Sequence, residues 1–505
     1  MTSSHRQILS SSSIIGGASL INIVLGLARQ KVLALLLGPA GLGMLGLLQS
    51  VVTTGAVVAG MGVGNAGTRQ IAEAAGTGDP VRLAVARKAL LWLTILLAIV
   101  GGGALWLFRS ALAEVIFPRS AMAGAFGMLA LALALTIGAA SQMALLVGMQ
   151  RIGDVARVTV YSALASSIAG VAAIAVYRDA GILYFVVSAP LAALLIGFAY
   201  TRRLRPPPLV AAPAAALPAQ WRAMLALGVA ATLAGLASTG SQLAARILVQ
   251  RELGPVPLGA LQAASVITVT YLGLILQAMS TDYYPRLTRT VGDRAVTNRL
   301  VNEQAEVTLL LGGPILLAMM GAAPVAVTIL YSSAFTGAAD LLRLQIFADV
   351  LRLASWPLGY LLLAIGAGRA YVAAETGVAA VFVLLVMLLL GPAGLNAVGF
   401  ALIGLYAAYL PAVYWAARRL TGFRWARPVL ALGAILFILN AAVYAIGRLG
   451  TPAALAAGCL ASLAYGFLAL HRLRTHMPDR FARLLAPLSR WADRLEVAIR
   501  SRFAR

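Results

Sequence analysis

The sequence predicts an all-α polytopic membrane protein of about fourteen transmembrane helices, arranged as two pseudo-symmetric six-helix lobes plus a C-terminal helix pair. Three observations predict it. The chain of 505 residues is 61% hydrophobic and only 11% charged, with a mean hydropathy of +0.91, whereas soluble domains carry about 25% charged residues. Apolar stretches of about 20 residues, the length that crosses the hydrocarbon core, recur along the whole chain. Basic residues gather in every second connection, which is the positive-inside pattern. The net charge of +23 therefore reads as membrane topology, with no nucleic-acid partner.

The N-terminal stretch MTSSHRQILSSSSIIGG has no short apolar core followed by a small-residue cleavage site. Its apolar run continues to Arg29, so it reads as an uncleaved first span. Spans follow at 9–37, 42–66, 88–108, 122–148, 157–177 and 181–200. Then comes TRRLRPPPLVAAPAAALPAQWR, residues 201–222, whose prolines stop a helix and whose arginines mark the cytoplasmic face. The second half gives spans at 224–249, 258–281, 305–331, 341–367, 370–390, 396–416, 428–447 and 452–470. The expected organisation is an N-lobe over 1–200, a cytoplasmic linker over 201–222, a C-lobe over 223–420, a helix pair over 421–470 and a basic tail over 471–505.

With the N-terminus inside, the inner connections hold Arg69, Arg82, Arg87, Lys88, Arg151, Arg157 and the arginines of the 201–222, 286–299, 369 and 418–427 regions. The outer connections hold only Arg109, Arg119, Arg178, Arg251 and Arg448. Both termini are expected in the cytoplasm. In the tail, Phe481, Leu484, Leu485, Leu488, Trp491 and Leu495 recur at helical spacing between arginines, as in a basic amphipathic helix on the inner leaflet.

An internal repeat is visible. LGLARQKVLALLLGPAGLGMLG (25–46) is similar to LAARILVQRELGPVPLGALQA (243–263). Each sets an arginine about two helical turns ahead of Leu-Gly-Pro, then a Leu-Gly that opens the next span. The copies lie on spans one and seven and run in the same direction, as in folds built of parallel repeats.

No enzyme signature appears. Neither Lys31 nor Lys88 follows a phosphate-cradling glycine loop. His5, His471 and His476 sit near the termini, and Cys459 is the only cysteine, so neither a metal cluster nor a disulfide is expected. The informative residues are charges inside spans, where a central charge costs about 2.5–3.5 kcal/mol on insertion scales and usually faces protein or water. Arg29, Arg246, Asp349 and Arg352 fall at similar depth, near the midplane where transporter sites lie. They predict a cationic cavity for an anionic group such as phosphate, which the planar guanidinium grips with two hydrogen bonds. Lys31 joins this set or snorkels outward. Asp349 and Arg352, three apart on one helix, carry an ion-coupling role or a plain internal pair. Arg343 reads as interfacial. Ala56, Gly60 and Gly64 at four-residue spacing read as close helix packing, and Pro314, Pro324, Pro357 and Pro411 as kinks.

Three stretches resemble a known family. VLGLARQKVLALLLGPAGLGMLG (24–46), LGLILQAMSTDYYPRLTR (272–289) and FADVLRLASWPLGYLLLAIGAGRAYVAAE (347–375) are similar to the first, eighth and tenth-to-eleventh helices of Wzx-type O-antigen translocases. Those belong to the multidrug/oligosaccharidyl-lipid/polysaccharide (MOP) exporter superfamily. The resemblance implies a MOP-type fold and a flippase for undecaprenyl-diphosphate-linked oligosaccharide in the bacterial inner membrane. It implies alternating access around a cationic cavity, with Arg29 on the diphosphate; the reading of charges inside spans adds Arg246, Arg352 and Lys31 as candidate cavity cations. It also implies action as a monomer beside polysaccharide polymerase machinery. No cofactor is expected. Without a nucleotide motif, coupling would come from protons, sodium ions or the membrane potential, through Asp349 or Glu375. The competing readings are a lipid II flippase, a cation-coupled drug exporter of the same superfamily, and a membrane-bound glycan ligase or polymerase.

Overall fold

The computed structural model describes residues 3–116, 123–204, 217–335 and 337–474. The expected amphipathic helix of the tail and four prolines of the linker, Pro206, Pro207, Pro208 and Pro213, lie outside these residues, while Pro218 stands in the first turn of a helix. Among the described residues every regular element is a helix, and the chain is an all-helical, multi-pass membrane protein.

The helices are α1 (Ser3–Gly60), α2 (Val63–Gly76), α3 (Pro80–Leu107), α4 (Arg109–Ile116), α5 (Ala123–Gly148), α6 (Ile152–Tyr177) and α7 (Gly181–Thr201). Then follow α8 (Leu217–Glu252), α9 (Pro255–Thr290), α10 (Arg294–Leu330), α11 (Ala338–Ala364), α12 (Gly368–Ala393), α13 (Asn396–Thr421), α14 (Arg427–Ile446) and α15 (Thr451–Arg474). Among the described residues eleven helical stretches are long and apolar enough to cross a membrane, or twelve if Leu217–Ala226 and Ala231–Glu252, bent by 51°, form one crossing. Large apolar side chains such as Leu35, Ile99, Val176 and Leu463 are well exposed on these helices. A water-soluble protein rarely keeps so much apolar surface contiguous and uncovered, and lipid is the solvent that suits it.

Local sequence explains the breaks. Gly38 has φ 63° inside α1, a backbone conformation that glycine adopts without a Cβ penalty, and Pro39 cannot donate to the preceding turn. Its counterpart in the second repeat, Gly254, has φ 88° and separates α8 from α9. Asp79 caps α3 by accepting from Val81 N at 2.8 Å, and Pro80 occupies the first helical position, where no N–H is needed. The short helices α2 and α4 were not expected. Both are amphipathic and too polar to register as spans. Several helices also run beyond the expected spans, α9 and α10 by a few turns, carrying their arginines on continuous helix rather than in loops.

The chain forms two compact units. The first comprises residues 1–263, 327–338 and 375–398. In it α6 and α7 fold back on one another so closely that a Cβ on Gly181 would lie 2.6 Å from the Ile174 Cα. The α5 helix packs on α3 and α7, with Leu93, Phe126, Leu129 and Leu133 fully buried. Trp221 of α8 donates its indole N–H to the Ala89 carbonyl at 3.0 Å.

The second unit comprises residues 264–326, 339–374 and 399 onward. Here α15 lies directly on α10, because Gly321 and Gly458 face each other and a Cβ on Gly321 would sit 2.8 Å from the Gly458 Cα. Asn302 ties the approach to α14. Its amide donates to Arg424 O at 3.0 Å, and its oxygen accepts from Ala426 N at 2.7 Å. Arg472 pairs with Glu306 at 3.1 Å.

Candidate functional site

The intramembrane charges fall into four settings. Arg29 projects from α1 in the first unit. It is half-buried, and its guanidinium lies 5.7 Å from the centre of the Phe185 ring of α7. Its Nε is buried without a hydrogen-bond partner, as are Asn22 Oδ1 and Gln30 Oε1 on the same helix. A buried N–H of a cation that finds no acceptor is costly, so this helix face holds a donor awaiting an acceptor.

Lys31, two residues on, points elsewhere. Its Nζ donates to the Tyr331 carbonyl at 2.6 Å and to the Thr328 carbonyl at 3.3 Å. Thr328 stands in the last turn of α10 and Tyr331 just after it, at the end that carries the negative pole of the helix dipole. Lys31 thus acts as a cap on α10, and the 100° turn per residue of a helix separates it from Arg29.

Arg246 projects from α8 and is also half-buried. Its Nη1 donates to Gln262 Oε1 at the start of α9. Gly46 of α1 lies against the pair: a Cβ there would overlap the Gln262 carboxamide and come within 2.9 Å of Arg246 Nη1.

The second unit holds the acidic member. Asp349 on α11 is 3% exposed and accepts from the Tyr271 hydroxyl of α9. One turn away on the same face, Thr268 donates to Gln345 Oε1 at 2.8 Å. Arg352, three residues after Asp349, sets its guanidinium 5.8 Å from the Tyr406 ring of α13. Glu375, which belongs to the first unit, stands two turns into α12, half-buried. Arg343, expected at the membrane interface, is instead enclosed by protein at 8% exposure. It lies 3.6 Å from Asp340 and donates to the Met320 carbonyl at 3.4 Å.

An apolar cavity of about 360 Å³ lies on the opposite face of α11, lined by Val350, Ala354, Leu410, Trp425, Val429 and Phe437. It touches none of these charges. Among the described residues no three His, Cys, Asp or Glu side chains converge to hold a metal ion.

The sequence had singled out Arg29, Arg246, Asp349 and Arg352. The structure adds the groups that hold them: Gln262 and Gly46 for Arg246, Tyr271 for Asp349, and Phe185 beneath Arg29. One signal for Gln262 was available, since it stands in the second repeat where the first has Gly46. Tyr271 and Thr268, at three-residue spacing within the expected span 258–281, were a second.

Residues 32–340 match the family of polysaccharide biosynthesis proteins. No curated protein sequence matches the chain. Among solved structures, the fold is similar to that of the lipid II flippase MurJ in an inward closed conformation, with a TM-score of 0.70 at 14% identity over 91% of this chain and 99% of that one. It is also similar to an inward-facing multidrug resistance MATE family transporter of the MOP superfamily, with TM-score 0.60, 16% identity, and coverage of 81% and 95%. A MOP superfamily transporter from Pyrococcus furiosus matches with TM-score 0.53, 15% identity, and coverage of 82% and 96%. Identities this low speak for the fold alone, while the family match covers more than half of the chain. The chain belongs to the polysaccharide biosynthesis protein family and carries the fold of the MOP superfamily.

Proposed function

We propose that this protein is a flippase that carries a polyprenyl-diphosphate-linked oligosaccharide, such as an O-antigen repeat unit, from the inner to the outer leaflet of a bacterial cytoplasmic membrane. The observation that carries the reading is Arg29: a guanidinium in an apolar helix, half-buried, with a buried N–H that no atom of the described residues accepts. A diphosphate supplies both the acceptor and the counter-charge. Burying it unpaired in hydrocarbon is prohibitive, so its transfer requires such groups. Arg246 is the second proposed anion-binding residue of the first unit, and Arg352 is the proposed one of the second unit. Lys31 leaves the candidate set, because its ammonium is engaged by α10.

The chain crosses the membrane fourteen times in this reading. Gly17–Gly60 has 44 residues and Ile152–Thr201 has 50, at about 1.5 Å per residue far more than one crossing of about 30 Å needs. Each is two crossings, divided at Gly38 and at 178–180. Both termini then lie in the cytoplasm. Asp349 and Glu375 are the proposed sites of coupling to protons or sodium ions. The protein works as a monomer and delivers its product to polysaccharide polymerase machinery. The lipid II flippase reading shares the same anion chemistry and differs only in the glycan. A drug exporter for cations is disfavoured by arginines at these positions.

The test is transfer of a fluorescent polyprenyl-diphosphate sugar across liposomes holding the purified protein, with and without ion gradients. Gradient-dependent transfer that Arg29→Ala removes is expected. Folded protein that transfers no polyprenyl-diphosphate donor refutes the reading.

A further inference from the structure

Gly43 and Gly259 hold equivalent positions after the two Leu-Gly-Pro turns, and within the first unit they meet. A Cβ on Gly43 would lie 2.6 Å from the Gly259 nitrogen and 2.8 Å from the Pro255 carbonyl oxygen. A Cβ on Gly259 would run into the Pro39 carbonyl oxygen. Each glycine thus sits on the proline turn of the other copy. The two backbones touch with no side chain between them, at the outer ends of α1's second half and α9.

The next equivalent pair, about one turn on, is Gly46 and Gln262, and there the symmetry breaks. Gln262 is 7% exposed, and its Oε1 accepts from Arg246 Nη1. Only because residue 46 has no side chain is there room for the carboxamide, and a single added carbon would strike both Gln262 and Arg246. The first repeat has nothing comparable. Gln30 stands where the second repeat has Arg246, and its Oε1 is buried without a partner.

We propose that Gln262 is the positioning residue of Arg246, and that the glycine seam makes this position depend on whether the two repeats are packed together. Seated in the space that Gly46 leaves, the Gln262 carboxamide accepts from Arg246 Nη1 and orients the guanidinium. When the outer ends part, Gln262 gains space and Arg246 loses its brace. The anion site is therefore preorganised in the outwardly packed state and relaxed in the other, which is what release on the far side of a membrane requires. A braced guanidinium spends less ordering entropy on its ligand than a free one. The inference rests on the reading of Arg246 as an anion-binding residue.

Full-length protein in detergent, titrated with farnesyl diphosphate, tests it by a double-mutant cycle. Gln262→Leu and Gly46→Ala are each expected to raise the Kd about tenfold. Neither should weaken binding further once Arg246→Ala is present, because both act through that side chain. Gly43→Ala, which disturbs only the backbone seam, should raise the Kd in the same direction. Thermal unfolding of each variant shows that it is folded, and Gly46→Ala serves if Gln262→Leu is not. Wild-type affinity in both Gln262→Leu and Gly46→Ala, or effects that add in full to Arg246→Ala, overturns the proposal while leaving Arg246 as an anion site. Equal binding by the wild type and Arg246→Ala overturns the anion reading and this inference with it.

Discussion

Replacing Arg29 by alanine should separate binding from stability. A guanidinium 4 Å from a phosphate interacts by about 4 kcal/mol at an effective dielectric of 20, and half-burial of Arg29 lets solvent screen part of that. Charge-assisted hydrogen bonds contribute about 1.5–3 kcal/mol net, which corresponds to a roughly 10- to 150-fold rise in Kd. The folded state should notice the change far less. The stacked contact with Phe185 at 5.7 Å is worth about 0.5–1 kcal/mol. Against that, an unpartnered Nε is removed, and alanine is the best helix former. Stability should therefore stay within about 1 kcal/mol, a few degrees in Tm or less. Farnesyl diphosphate titration and thermal unfolding on the same detergent-purified sample provide both numbers. Unchanged binding together with a Tm lowered by many degrees would refute the reasoning and make Arg29 a structural residue of the α1–α7 contact.

Three further outcomes follow from the packing and the buried acid. Asp349→Asn keeps an acceptor for the Tyr271 hydroxyl but removes the charge. Transport by the variant should lose its dependence on pH or sodium, and an unchanged dependence removes Asp349 as a coupling site. Gly321→Ala drives a Cβ to 2.8 Å from the Gly458 Cα and should cost about 1–3 kcal/mol by overpacking. Gly377→Ala, with open space around it, should be neutral or stabilising by up to about 1 kcal/mol, and thermal unfolding of the two variants checks the contrast. Asn302→Leu leaves the Arg424 carbonyl and the Ala426 N–H without their partner. It should destabilise by about 1–3 kcal/mol, read as a lower Tm and faster proteolysis at 422–426.

The spans were legible because hydropathy is a local property. The expected span at 181–200 became a helix over Gly181–Thr201, and that at 396–416 one over Asn396–Thr421, since burying an apolar backbone in lipid leaves helix as the only way to satisfy every N–H and C=O within one segment. The turns at Gly38-Pro39 and Gly254-Pro255 were legible for a similar reason, as their chemistry acts on the adjacent residue. The amphipathic α2 and α4 escaped because, at 14 and 8 residues, they are too short to stand out as crossings. Arg29, Arg246 and Asp349 were legible as costly residues in apolar runs, but the means by which each cost is met was not.

That remainder belonged to tertiary structure. Lys31 reaches carbonyls some three hundred residues away in the chain, and Asp349 meets Tyr271 seventy-eight residues before it. Nothing in either stretch alone says which way its side chain faces. The sequence by itself determined that this is a many-span membrane protein with a repeated Leu-Gly-Pro turn and with arginines embedded where lipid would reject them. Only the packing of helices decided that Lys31 is consumed as a cap, that Gln262 braces Arg246 because residue 46 is a glycine, and that Arg29 keeps a donor unmet. Hydrophobicity places a helix in the membrane but does not choose its rotation about its own axis. That rotation is set by which neighbours interlock, and it decides whether a charge is spent on the fold or left for a ligand.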